Sequence, residues 1–311
     1  MHRASDTICM KILAMMFAVM LASGALSGPV ADQQLTFQAA VSRVTLAVVV
    51  RDSRGRPVKG LSAGDFDVRD QGVSRPITDF RNQTSPVSVA ILVDTSGSMR
   101  VGPKLDRLNE FADLLLRALS EGKDEAALFA FEHTVHVAHD FTTHFGLLRE
   151  AFGSISPFGS TSLYDAIADT AQRVAERPGR HAVVVLTDGI DTSSRLMEPD
   201  VSRMASAIDV PVYAVAVGVS IDLSDESPAR AHVRDVEDLS RRTGGMFYTA
   251  TNVDQGSLAA HGIVEDLRHQ YLIGLEPSDV PGWHRLEVRV RQRATIQARS
   301  GYWVGDSTVL R

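Results

Sequence analysis

The sequence predicts an α/β fold: a doubly wound, mostly parallel Rossmann-like sheet, with a small all-β accessory domain formed by the flanking segments. Three observations predict this fold class. Strand and helix patterns alternate between residues 85 and 269, two of the strands are continuous or nearly continuous apolar runs, and β-rich segments without a helical period stand on either side. Alternating elements are typical of a parallel sheet covered by helices, and continuous apolar runs are typical of strands buried on both faces.

The composition is that of an ordinary globular protein. The chain has 311 residues, of which 44% are hydrophobic and 23% charged. These values exclude a mainly disordered chain, and the single cysteine excludes a disulfide scaffold. The net charge of −6 argues against a nucleic-acid partner, because phosphate-binding proteins normally carry a basic surface.

The N-terminus has the pattern of a secretory signal peptide. Two basic residues, Arg3 and Lys11, are followed by the uncharged run Ile12–Leu26. This run is short for a membrane span, which needs about 20 apolar residues. We expect cleavage after Ser27 and export to the periplasm or the cell exterior. Cleavage after Ala31 and an uncleaved membrane anchor are the alternatives.

The segment that follows reads as strands only. Val41–Val50 is rich in β-branched residues, Asp65–Asp70 alternates between apolar and charged residues, and Ile77–Phe80 is a third possible strand. A unit of this size has too small a core to be stable alone. We therefore expect it to pack against another part of the chain.

The central segment begins with the apolar strand Val87–Val93. A helix follows, in which the i, i+3, i+4, i+7 spacing is kept by Leu105, Leu108, Phe111, Ala112, Leu115 and Leu119. Ser162 and Asp165 form a capping signal at the start of another helix, and Gly244 ends a charged helix. The remaining elements are predicted at Glu125–Phe131 (strand), Val135–Ala138 (hairpin partner), Ser162–Glu176 (helix), Ala182–Leu186 (strand), Pro199–Ile208 (helix), Val210–Val217 (strand), Arg230–Arg242 (helix), Met246–Tyr248 (strand) and Ser257–Arg268 (helix).

The last segment again reads as strands, at Tyr271–Leu275, Arg285–Val290 and Thr295–Trp303. Since the ends of a domain often lie close together, this segment is expected to pair with the first β segment. The predicted organisation is a leader (1–27), an N-terminal β segment (40–84), the α/β domain (85–269) and a C-terminal β segment (270–311).

Small oxygen-bearing side chains occur in three loops at the expected carboxyl edge of the sheet, where open α/β sheets form their sites. Asp94, Ser96 and Ser98 follow the first apolar strand, Thr161 precedes a helix, and Asp188 follows the second apolar strand. The set contains no histidine and no thiol. Hard cations prefer such oxygen ligands, and two carboxylates balance the charge of one divalent ion. The sequence therefore predicts a Mg²⁺ site, with Mn²⁺ or Ca²⁺ as alternatives.

This set resembles the metal-ion-dependent adhesion site (MIDAS) of von Willebrand factor A domains, over about residues 85–269. The resemblance implies that the serines and Thr161 contact the metal, and that the two aspartates often act through water. It also implies cell adhesion or protein–protein interaction, in which a partner protein offers an Asp or Glu carboxylate to the metal. The flanks, with V-R-D-S-R-G-R-P-V-K-G-L before and R-S-G-Y-W after the domain, look similar to a bacterial VWFA-related group.

Other functions have weaker support in the sequence. Four histidines, His133, His136, His139 and His144, suggest zinc, but side chains alternate between the faces of a strand, which favours exposed histidines on an edge hairpin. The sequence contains no familiar catalytic motif, so we expect no enzyme. A metal-dependent hydrolase of phosphates or esters and a structural domain with an empty site remain the alternatives.

Overall fold

The computed structural model describes residues 43–82, 85–157, 159–188, 193–207, 209–217 and 228–304. The predicted leader lies outside these residues. The strands are β1 (Val44–Arg51), β2 (Phe66–Asp70), β3 (Val73–Arg75), β4 (Ile77–Arg81), β5 (Val87–Asp94), β6 (Glu125–Phe131), β7 (Val135–Thr142), β8 (Arg180–Thr187), β9 (Val212–Val217), β10 (Phe247–Ala250), β11 (Tyr271–Leu275), β12 (Gly282–Val290), β13 (Thr295–Gln297) and β14 (Gly301–Val304). The helices are α1 (Lys104–Ala118), α2 (Phe145–Gly153), α3 (Leu163–Ala175), α4 (Glu198–Ala207), α5 (Pro228–Thr243) and α6 (Val253–His269).

A six-stranded sheet forms the centre of the α/β unit. Its order is β10-β9-β8-β5-β6-β7, with all neighbours parallel except the edge strand β7, which is antiparallel to β6. The central strand β5 is buried at every residue. Val89, Ile91 and Val93 face one apolar cluster, whereas Ala90 and Leu92 face another. Burial on both faces explains the continuous apolar run, and the predicted fold class is confirmed.

The flanking segments pair with each other in two antiparallel sheets, with strand orders β13-β1-β11-β4 and β14-β12-β2-β3. Val44 of β1 lies opposite Leu275 of β11, and Asp70 of β2 lies opposite Leu286 of β12. One apolar cluster contains residues from both sheets. The sheets therefore share a core, to which each flank contributes, and we call this eight-stranded part the β unit.

Two arginines, the half-buried Arg51 and the buried Arg299, join the β unit to the α/β unit. Arg51 of β1 forms an ion pair with Asp266 of α6, whose side chain is fully buried. Arg299, between β13 and β14, donates to the backbone oxygens of Ser206 and Thr45. Because buried charges need partners, these contacts hold the two units in one arrangement.

Two elements were not predicted, and one predicted strand is divided. Neither β3 nor α2 is in the prediction. The expected strand Thr295–Trp303 is two short strands, because the chain leaves β13 at residues 298–300, where the Ser300 N–H donates to the Arg242 carbonyl (2.9 Å), and joins the other sheet as β14. Within the described part of the chain, no helix combines the length and apolar character needed to cross a membrane.

Candidate metal centre

The first loop of the site leaves the central strand β5. Asp94 is the last residue of β5 and is completely buried. Its Oδ1 accepts a hydrogen bond from the backbone N–H of Ser96 (2.9 Å), which closes a tight turn. A 3₁₀ turn over Gly97–Arg100 then brings the Ser98 hydroxyl to 3.0 Å from that of Ser96. The spacing D-x-S-x-S thus gathers a carboxylate and two hydroxyls on one loop.

The second loop carries Thr161 and is bonded to the first. The N–H of Gly97 donates to the carbonyl of Gly159 (3.0 Å), two residues before Thr161. Gly159 has φ +95°, and a Cβ there would lie 2.2 Å from a carboxylate oxygen of Glu132. Only glycine fits this position without displacing its neighbour. Thr161 is 3% exposed and lies at the same edge of the sheet as the first loop.

The third loop begins at the end of β8, the neighbour of β5. The hydroxyl of Thr187 donates to Oδ2 of Asp94 (2.7 Å), which joins the ends of the two strands. Asp188 is the next residue, and its side chain is 1% exposed. The structure thus brings Asp94, Ser96, Thr161 and Asp188 to one edge, together with the partly exposed Ser98.

A lysine also reaches this edge. The Nζ of Lys104, the first residue of α1, lies 2.9 Å from Oδ2 of Asp188 and 3.3 Å from the carbonyl oxygen of Ser98. An ammonium group therefore already lies among the oxygens of the predicted set. Its position indicates that this edge attracts positive charge.

The raised pKa of Asp94 also indicates that this edge of the sheet favours a cation. Burial raises the pKa of its carboxyl from 3.8 to about 6, against the hydrogen bonds from Ser96 and Thr187, which lower it. The negative charge of Asp188 adds to the rise. A buried carboxylate of this kind is costly without a cation nearby.

The residues present fit a hard divalent cation. Every side-chain atom that could act as a metal ligand in the five residues is an oxygen. The set combines two carboxylates with three neutral hydroxyls. Mg²⁺ takes oxygen ligands and often keeps several waters, so it does not require six protein ligands. The five residues are the ones that the sequence predicted, and their role as ligands remains a prediction.

The expected cap of α3 is wrong in detail. Ser162 stands at the N-cap position, but its hydroxyl makes no capping hydrogen bond. The hydroxyl of Ser194, from the segment after β8, accepts instead from the N–H groups of Tyr164 (2.9 Å) and Asp165 (3.3 Å). Local sequence could not show this cap, because Ser194 lies about 30 residues away along the chain.

The histidines lie on and beside the edge strand β7. Register shifts place His136 opposite Ala130 and His139 opposite Leu128 on β6. These two histidines therefore share a face, and the strict alternation expected from the sequence does not hold. Among the described residues, no group of three His, Cys, Asp or Glu side chains could hold a metal ion.

Comparison with known families agrees with the fold. The sequence profile of the von Willebrand factor type A domain matches residues 89–190, which include all five predicted ligands. The chain contains a von Willebrand factor type A domain. The matched region extends from β5 to the segment just after β8, and so contains the three loops described above.

Relatives of this type A domain occur in larger proteins. The chain is 27% identical over 177 residues to calcium-activated chloride channel regulator 1 of Macaca mulatta, and 27% identical over 177 residues to the Homo sapiens protein. These matches cover 55% of this chain and 18% of each relative. The chain thus spans less than a fifth of these relatives.

Solved structures with similar folds include a von Willebrand factor type A protein from Catenulispora acidiphila. It is 15% identical, with a TM-score of 0.48, and the match covers 88% of this chain and 77% of that one. An aerotolerance-related membrane protein from Bacteroides fragilis is 20% identical, with a TM-score of 0.47, and the match covers 58% of this chain and 98% of that one.

Proposed function

We propose that this type A domain binds a divalent cation, with Mg²⁺ as the expected ion, and uses it to bind a carboxylate of a partner protein. The ligands would be Asp94, Ser96, Ser98, Thr161 and Asp188. The protein would act as an interaction or adhesion module and not as an enzyme. Bound metal would supply a Lewis-acidic centre that attracts an Asp or Glu side chain.

The main support is the convergence of the oxygen-bearing side chains of three loops on one edge of the sheet. Hydrogen bonds join the loops in pairs, through Gly97 and Gly159 on one side and Thr187 and Asp94 on the other. The first bond joins two backbone groups, and the second is accepted by Oδ2 of Asp94, so together they fix the three loops relative to one another. The loops are thus preorganised for a ligand.

Metal binding can be tested by thermal unfolding. A ligand that binds the native state stabilises it by about 2.7 kcal/mol when its concentration is a hundred times its Kd. We expect Mg²⁺ to raise the Tm of the wild-type protein relative to EDTA, and Ser96→Ala to reduce this rise strongly. Ser53→Ala, at an exposed turn residue, is the control and should respond like wild type. An equal response of Ser96→Ala and wild type would contradict the proposed ligand set.

The partner can be tested by capture with the immobilised protein from a cell-envelope extract. Proteins retained in MgCl₂, released by EDTA and not retained by Ser96→Ala would be identified by mass spectrometry. Each acidic residue at the contact would then be changed to its amide, and one such change should abolish binding. Capture that survives both chelation and Asp94→Ala would reject a metal-bridged contact.

We also propose that the protein is exported, on the basis of the basic residues and the uncharged run Ile12–Leu26. Fractionation followed by N-terminal sequencing tests this. A periplasmic or extracellular product beginning after Ser27 is expected. A full-length product in the membrane fraction would instead support an uncleaved anchor.

A further inference from the structure

Lys104 lies at the candidate site but is not one of the five proposed oxygen ligands. Its ammonium contacts Oδ2 of Asp188 at 2.9 Å and the carbonyl oxygen of Ser98 at 3.3 Å. The lysine side chain is 19% exposed and that of Asp188 is 1% exposed. Both contacts involve residues of the proposed ligand set, so the positive charge of Lys104 lies where a divalent cation would be attracted.

The backbone fixes Lys104 in this place. It is the first residue of α1, and the short connection from the 3₁₀ turn passes through Gly102, with φ +66°, and Pro103 at the N-cap. A lysine in the first turn of a helix opposes the helix dipole, which favours acidic side chains there. The ion pair with Asp188 offsets this unfavourable position.

We propose that Lys104 is a tethered competitor for the metal site. Its ammonium neutralises Asp188 when no metal is bound, and it has to leave Asp188 when a divalent cation enters. Two cations close to the same carboxylate repel each other, and in a partly buried site this repulsion is weakly screened. Lys104 thus lowers the affinity for Mg²⁺ and sets the concentration at which the domain becomes loaded. This inference rests on the proposed metal site.

A purely structural ion pair would behave differently. In that case, loss of the lysine would lower the stability in EDTA and in Mg²⁺ by the same amount, and the half-saturating Mg²⁺ concentration would stay constant. Competition predicts that stability falls mainly in EDTA. In saturating Mg²⁺ the metal replaces the charge that was removed, so most of the lost stability returns.

The experiment is a MgCl₂ titration at low ionic strength, followed by isothermal calorimetry and by Tm. We expect Lys104→Met to lower the half-saturating concentration by about tenfold or more, from the loss of one nearby unit charge. Lys104→Arg keeps the charge and should remain within about threefold of wild type, since the two cations differ mainly in shape. Lys123→Met removes the same charge from an exposed position next to the opposite edge of the sheet and should titrate like wild type.

Lys104→Gln serves as a second variant if methionine impairs folding. It removes the charge as well, but its amide can still donate a hydrogen bond to Asp188. Wild-type protein that saturates with Mg²⁺ at the same concentration as the uncharged variants would overturn competition and leave the metal site intact. Protein that shows no Mg²⁺ response in any variant would reject the metal site itself, and competition with it.

Discussion

Asp94→Asn should make the metal-free protein more stable at pH 7, although Asp94 is central to the proposed metal site. Burial raises the pKa of this carboxyl from 3.8 to about 6. At about 1.4 kcal/mol for each pH unit, ionisation at pH 7 costs the folded state about 3 kcal/mol. Asparagine resembles the neutral acid, since its oxygen can accept from the Ser96 N–H and its amide can donate to the Thr187 hydroxyl. The expected gain is therefore about 2–3 kcal/mol.

The pH dependence of stability tests independently whether Asp94→Asn stabilises or destabilises the metal-free protein. Because the folded-state pKa is raised, the wild-type protein is favoured at low pH and loses stability as the pH rises from about 4 through about 6. Asparagine does not titrate, so the variant lacks this loss. Urea unfolding in EDTA should give a difference of about 2–3 kcal/mol at pH 7 that shrinks to about 1 kcal/mol at pH 4.5.

Two further measurements make the comparison decisive. Asp279→Asn, which changes an exposed carboxylate, should alter stability little at either pH. In MgCl₂ the wild-type protein should gain stability whereas Asp94→Asn should not. Metal-free Asp94→Asn that is less stable than wild type at pH 7 would refute the reasoning, because the buried carboxylate would then be favourable without a cation.

Three other substitutions test individual contacts of the fold. Asp266→Ala leaves the guanidinium of Arg51 without its buried carboxylate and should lower the free energy of unfolding by about 3–5 kcal/mol, measured in urea. Gly245→Ala should lower the Tm by several degrees, because a Cβ there would lie 2.0 Å from the carbonyl oxygen of Val212. Ser194→Ala removes the hydroxyl that caps α3 and should cost about 1 kcal/mol in the same urea assay.

Each of these three predictions has a control variant or an outcome that would contradict it. The double variant Arg51→Met with Asp266→Leu should recover much of the loss, since a buried pair can be replaced by apolar groups, and a double variant as unstable as Asp266→Ala alone would contradict a pair effect. Gly146→Ala, where nothing lies within 4 Å of the added Cβ, should not lower the Tm, since alanine is also the better helix former. An unchanged unfolding free energy for Ser194→Ala would contradict its role as the cap.

Much of the α/β fold could be predicted from the sequence because burial leaves a direct pattern there. The run Val87–Val93 is apolar at six of seven positions because β5 is covered on both faces. The oxygen-bearing residues could be identified because the carboxyl ends of parallel strands share one edge. The short strand β3 was missed because its residues are largely exposed and carry no periodic signal.

Contacts between distant segments set the limit of the sequence prediction. Lys104 reads as an ordinary residue at the start of an amphipathic helix, and nothing near it in the sequence indicates Asp188 as its partner. The cap of α3 was assigned to Ser162 because capping rules are local, whereas Ser194 reaches the helix from another loop. Such roles depend on tertiary structure, which brings together residues that are far apart along the chain.

The pairing of β1 with β11 has a consequence for synthesis of the chain. Val44 pairs with Leu275, which is synthesised more than 200 residues later. At ribosomal rates of 5–20 residues per second, this delay is roughly 10–40 s. During that time, an apolar strand with unpaired backbone groups has no native neighbour from the far flank, and such edges are prone to aggregation. Nascent β1 is therefore a segment exposed to aggregation until the C-terminal flank has been made.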